Sequence, residues 1–109
     1  MTLDNLTPRR DIPPCVIFSL LSNHTRYSII QLLHSRVQMH PTTWTPTQTI
    51  AEKLGIRPSV CSTHLQKLSH YGLIKNRPRG AYSLWILDKD AERKITDAVN
   101  TLFQEGDHT

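Results

Sequence analysis

No acidic residue lies between Glu52 and Asp88, and that gap holds six bases: Lys53, Arg57, Lys67, Lys75, Arg77 and Arg79. Residues 1–52 carry four bases and three acids, and residues 88–109 carry three bases and six acids. The formal net charge of +4 therefore comes from the middle of the chain. A basic block inside a patterned segment suggests a polyanion partner, although a solvated face would give the same count. Cysteine is scarce: Cys15 and Cys61 are far apart and make no disulfide framework. No apolar run approaches the ~18 residues of a membrane span, and "MTLDNLTPRR" lacks the apolar stretch of a secretory signal. These two absences give the expectation of a cytoplasmic protein without a membrane partner. No internal repeat, Gly-rich phosphate loop, nucleophile–base pair or carboxylate cluster outside the acidic last segment is present, so the sequence offers nothing for an enzyme.

At 109 residues the chain forms one domain with a modest core, and a partner subunit would help to cover it. Residues 1–12 read as a flexible arm, 13–104 as the folded domain and 105–109 as a polar tail. Two prolines suit the start of a first helix through "PPCVIFSLLS". Asn23 is a good N-cap for "HTRYSIIQLLHSRV", with Tyr27, Ile30, Leu33 and Val37 on one stripe and Ile29 and Leu32 beside it. A long connection, "QMHPTTW", follows, with a short extended piece at Thr43–Trp44. Thr45 is expected to cap a third helix, with Pro46 in its first position and Gln48 closing a capping box. Gly55 should stop that helix by taking positive φ, with Ile56 plugging the turn. Pro58 opens a fourth helix, in which Cys61, Leu65 and Leu68 form one apolar stripe, and Gly72 ends it. "LIKNR" and "AYSLWIL" read as strands joined by a turn at 78–80. Asp88 should cap a last helix over about 89–104, with Ala91, Ile95, Ala98 and Leu102 on one stripe that Val99 and Phe103 widen. The predicted fold is mainly α with a small β-hairpin (α+β), a winged helix-turn-helix of about five helices.

That plan suits duplex DNA for a physical reason. An α-helix fits the major groove, about 12 Å wide, when its outer face carries small hydrogen-bonding side chains. Ser59, Ser62, Thr63 and Gln66 meet this need as base readers. Arg57, Lys67, Arg77 and Arg79 are candidates for phosphate or minor-groove contacts, and Thr47 and Gln48 for contacts from the preceding helix. His64, at the edge of the fourth helix, either reaches a phosphate or packs against the wing.

Two segments carry a family resemblance. "LLSNHTRYSIIQLL" and "IAEKLGIRPSVCSTHLQKLSHYGLI" are similar to motifs of the ArsR-type winged-helix repressors, and the resemblance covers about residues 13–104. It implies a homodimer built from the first and last helices, a palindromic operator and repression of transcription. On these helices the candidates for a dimer interface are Val16, Ile17, Leu20, Ile95, Val99, Leu102 and Phe103. Metal-sensing members of the family place cysteines where this chain has "TPTQTIAEKL", or Asp/His and His/Glu ligands on the last helix, where this chain has no His before His108. Neither set is intact. The expectation is no metal and no cofactor, with an unknown small-molecule or redox signal left open. Cys61 reads as a packing residue and Cys15 as core or dimer packing. Trp44 and Trp85 read as core or interface residues. Two other readings stand beside this one: a MarR-like regulator, and a winged helix used as a protein-interaction or assembly module.

Overall fold

A computed structural model describes residues 12–106. Five helices and three short strands follow in the order α1 (Pro14–Leu21), α2 (His24–Met39), β1 (Thr45–Pro46), α3 (Thr47–Leu54), α4 (Pro58–His70), β2 (Ile74–Arg79), β3 (Tyr82–Leu87) and α5 (Ala91–Gly106). The fold is the α+β winged helix-turn-helix expected from the sequence. Of the expected arm only Ile12 is described, and it is buried in the core. The last three residues of the expected tail lie outside the described residues, while α5 continues through Gly106.

The local signals mostly act where the sequence puts them. The Asn23 side chain accepts from the Arg26 backbone N–H at 3.0 Å, capping α2. Gly55 takes φ 69° after α3, and the Ile56 N–H then closes on the Ala51 carbonyl at 3.0 Å. Pro58 begins α4, and Arg57 provides no side-chain cap. Asp88 accepts from the Asp90 N–H at 3.0 Å, so the chain turns once more before α5 begins at Ala91, later than expected.

Three local expectations need correction. Thr45 does not cap α3: it lies in β1, paired with Trp85, and the helix starts at Thr47 after Pro46 with no capping box. The strand pairing outcompetes a local cap, and the hairpin becomes a three-stranded sheet of order β1-β3-β2. The connection is shorter than expected because α2 runs on to Met39 and ends just before Pro41. The wing turn is Gly80-Ala81, with Arg79 opposite Tyr82 and Gly80 at φ 61°, the two-residue turn whose first position favours glycine. Pro78 is thereby a strand residue, which an edge strand such as β2 tolerates.

The core joins Ile17 and Leu20 of α1, Ile29 and Leu33 of α2, Ile50 and Ala51 of α3, and Cys61, Leu65 and Leu68 of α4. Ile12, Leu73, Ile74, Trp85 of β3 and Ala91 and Ala98 of α5 belong to it as well. On α2 the inward stripe is Ile29–Leu33, and Tyr27 is half exposed, not inward as its spacing suggested. α1 packs on α5, and α3 on α4. Lys94 of α5 donates to the Gly72 carbonyl at 3.1 Å and to Asp88 at 3.2 Å, fastening the last helix to the end of α4.

Candidate nucleic-acid interface

The apolar stripe of α4 fixes what its other face presents. Cys61, Leu65 and Leu68 are fully buried, so Ser59, Thr63, Gln66 and Lys67 turn outward and Ser62 sits half-buried at the flank. The polar side chains are already ordered among themselves. Thr63 Oγ1 donates to the Ser59 carbonyl at 3.2 Å, and Gln66 Nε2 donates to Ser62 Oγ at 3.2 Å. Both are one-turn contacts on the helix surface.

On one side of α4, a cleft separates Pro58, Ser59 and Ser62 from Ala81, Tyr82 and Ser83 of the wing, with Thr47 and Gln48 at its floor. The structure thus gathers Gln48, Ser59 and Ser62 around one opening. Arg79 lines an adjoining cleft with Gln48, Glu52 and Tyr82. Glu52 is an acid on this side, whereas α4 and the strands of the wing carry none.

Two expected contacts have other work. Thr47 Oγ1 accepts from the Trp85 indole N–H at 2.7 Å and donates to the Ser83 carbonyl at 3.5 Å, so its hydroxyl joins α3 to β3. The Arg77 guanidinium lies over the Trp44 ring, 4.1 Å from its centroid, which braces the wing against the connection after α2. Arg57 stays exposed at the start of α4. His64 packs against α2, not against the wing: Arg26 Nη1 donates to its Nδ1 at 3.2 Å. Burial, then Arg26 and Lys67, hold the His64 pKa below its ordinary 6.5.

Two residues near the site, Tyr82 and Arg26, escaped the sequence reading, and Trp44 was read only as a core or interface residue. Tyr82 is 69% exposed at the wing tip and faces both clefts. Its position directly after a Gly-Ala turn was a usable signal once the turn was placed correctly. Trp44 and Arg26 act through partners far along the chain, which no local pattern reveals.

Ile17 and Leu20, expected to meet a second subunit, are each 2% exposed in the single chain. The chain's own core takes their side chains, so they have little surface left for an interface. Val16 and Ile95 are half-buried, and Val99, Leu102 and Phe103 leave an exposed apolar strip on α5. Cys15 is exposed, so it is not a core residue, whereas Cys61 is fully buried and its thiol is pushed up to about 11. No group of three or more metal-ligating side chains occurs among the described residues. No helix among them is long and apolar enough to cross a membrane.

Residues 21–77 match the helix-turn-helix domain family. The chain is 31% identical over 97 residues to the uncharacterized HTH-type transcriptional regulator YbzH of Bacillus subtilis, covering 81% of this chain and 96% of the relative. Among solved structures, a "possible transcriptional regulator for arsenical resistance" superposes with a TM-score of 0.65 at 21% identity, over 78% of this chain and 81% of the other. The homodimeric winged helix-turn-helix DNA-binding domain Mb0332 of Mycobacterium bovis, a possible ArsR-family regulator, gives 0.59 at 21% identity, over 85% and 81%. At such identities the structural likeness establishes the fold.

Proposed function

We propose that this chain, which belongs to the helix-turn-helix transcriptional regulators and has the winged fold of their ArsR branch, represses transcription as a homodimer on an inverted-repeat operator. Each subunit would lay α4 in one major groove, with half-sites about one helical turn apart. The observation that carries the reading is the outer face of α4. It is free of acid, its small polar side chains are ordered, and the basic wing stands beside it across an open cleft. In this arrangement Ser59, Ser62, Thr63 and Gln66 read base edges, Gln66 being able to pair bidentately with adenine. Arg57, Lys67 and Arg79 hold the backbone, and Arg77 does so from its seat on Trp44. The exposed strip Val99, Leu102 and Phe103 supports the dimer, and Mb0332, of the same fold, is itself homodimeric.

The test compares two variants on a selected cognate site and on random duplex. Gln66→Ala should weaken binding to the cognate site by about 1–3 kcal/mol and leave random duplex nearly unchanged. Arg79→Ala should weaken both and lower the salt slope by about one. Equal loss on both DNAs for Gln66→Ala would remove the base-reading role. A wild-type chain that neither shifts random duplex at low salt nor binds heparin would favour a protein-interaction module instead.

A further inference from the structure

Arg26 sits where three acceptors converge. Its Nε donates to the Leu20 carbonyl at 2.8 Å and its Nη2 to the Ser19 carbonyl at 3.5 Å. Both carbonyls belong to the last turn of α1, and the Ser19 carbonyl also accepts from the Ser22 N–H at 3.3 Å and the Ser22 hydroxyl at 2.8 Å. The remaining arm of the fork, Nη1, donates to His64 Nδ1 at 3.2 Å. One side chain thus links the end of α1, the first turn of α2 and the middle of α4.

The chemistry of this contact fixes the histidine. A guanidinium has donors and no acceptor, so Nδ1 must present its lone pair. The proton of the neutral ring is then on Nε2. Nε2 has no partner among the described side chains, and it is not a buried unsatisfied atom, so it reaches solvent. On α4, successive residues are about 100° apart, which sets His64 well to one side of Thr63 and far from Gln66. It lies on the α2 side of the outer face, opposite the wing cleft, with Lys67 close enough to act on its charge. Arg26 and Lys67 are the charged groups that act on the ring, one from α2 and one from α4 itself. A donor at the edge of a groove-bound helix meets phosphodiester oxygens, while the centre of the face meets bases.

We propose that Arg26 is a positioning residue that holds His64 in its Nε2–H form, and that the neutral His64 ring donates a hydrogen bond to a DNA backbone phosphate beside Lys67. The proposal rests on the DNA-binding reading above. It adds a backbone contact on the side of α4 away from the wing, and a route by which α1 and α2 set the donor state of the recognition helix.

Nitrogen NMR of the imidazole in the wild-type protein reads the first half directly. His64 should show Nε2 protonated and Nδ1 bare near pH 7, and Arg26→Lys, which keeps the charge but loses the fork, should give mixed tautomers. A wild-type His64 protonated on Nδ1 overturns the proposal before any variant is made. Binding to a short random-sequence duplex reads the second half. His64→Phe should weaken it about ten- to a hundredfold, the value of one hydrogen bond to a charged oxygen, without changing the salt slope, because the donor ring is neutral. His64→Gln, which keeps an N–H near the Nε2 position, should restore most of the loss. Arg26→Lys should weaken binding in the wild-type background and add nothing beside His64→Phe. Should His64→Phe bind like wild type while Lys67→Ala loses affinity and salt slope, the His64 contact is wrong and the DNA reading stands. Should the wild-type protein fail to bind duplex at all, the DNA reading itself is what fails.

Discussion

Cys61 sits fully buried between helices, and burial pushes its thiol from 9.0 up to about 11. The folded state therefore keeps the neutral form over a range in which the unfolded chain ionises. Because the folded pKa is the higher one, this contribution is complete below pH 9.0 and is lost as pH rises toward about 11. The interval corresponds to ~3 kcal/mol. Chemical denaturation at pH 8 and pH 10.5 should show wild type losing more stability than Cys61→Ala; equal losses would mean that the thiol is hydrated in the native state. This residue was legible from sequence because its partners Leu65 and Leu68 lie on its own helix at one- and two-turn spacing. Arg26 was not legible, since its acceptor His64 is 38 residues away and no local periodicity points across that distance. Tyr27 misled for a related reason: its spacing fits the stripe of α2, but the direction from which neighbours arrive decides which edge of a wide stripe is covered.

Among the elements, α3 shows how a local signal loses to a distant one. Thr45-Pro46-Thr47-Gln48 has the composition of a helix start, yet Thr45 pairs with Trp85 and its hydroxyl is buried without a hydrogen-bond partner among the described residues. The satisfied hydroxyl is that of Thr47, which takes the Trp85 indole proton at 2.7 Å. Thr47→Val removes that acceptor while keeping the shape, leaving the indole N–H of the buried Trp85 unpaired. It should cost about 1–3 kcal/mol in thermal unfolding and leave duplex affinity within about twofold of wild type at temperatures well below melting. A large affinity loss with unchanged stability would return Thr47 to the DNA contacts. The two hairpin strands were legible from their β-forming residues. The third strand was placed two residues too early: the short extended piece expected at Thr43–Trp44 forms instead at Thr45–Pro46, because two residues carry no period to fix it. The wing turn was misplaced by two residues because Pro78 resembles a turn residue, whereas on the edge strand β2 its missing N–H costs no hydrogen bond.

At the scale of the molecule, charge and apolar surface separate cleanly along the chain. Of the bases of residues 53–87, Lys67 lies on α4 and Lys75, Arg77 and Arg79 on the wing, with Lys53 on α3 and Arg57 just before α4, while the acids after Asp88 lie mostly on α5. α5 also carries Val99, Leu102 and Phe103, exposed at 38%, 49% and 69%. This distribution puts the proposed DNA face and the proposed subunit face on different elements, which a dimer reading two half-sites would require. The positive segment and the stripe of α5 were both legible in the sequence. How the stripe divides was not, since Ala91 and Ala98 face the core while Leu102 and Phe103 pass beyond it. Phe103→Glu should convert the protein from dimer to monomer by sedimentation while it keeps its melting cooperativity. Its affinity for a two-half-site duplex should fall by at least ~tenfold through lost bivalency. A Phe103→Glu protein that remains dimeric would place the interface elsewhere.

If two copies of α4 read one duplex sequence, the protein should select its own site from random double-stranded DNA. The bound pool should be enriched in an inverted repeat, its half-sites about one helical turn apart, bound by two chains. Enrichment of a single unpaired half-site, or of no sequence at all at a salt concentration where the protein still binds duplex, would contradict that reading.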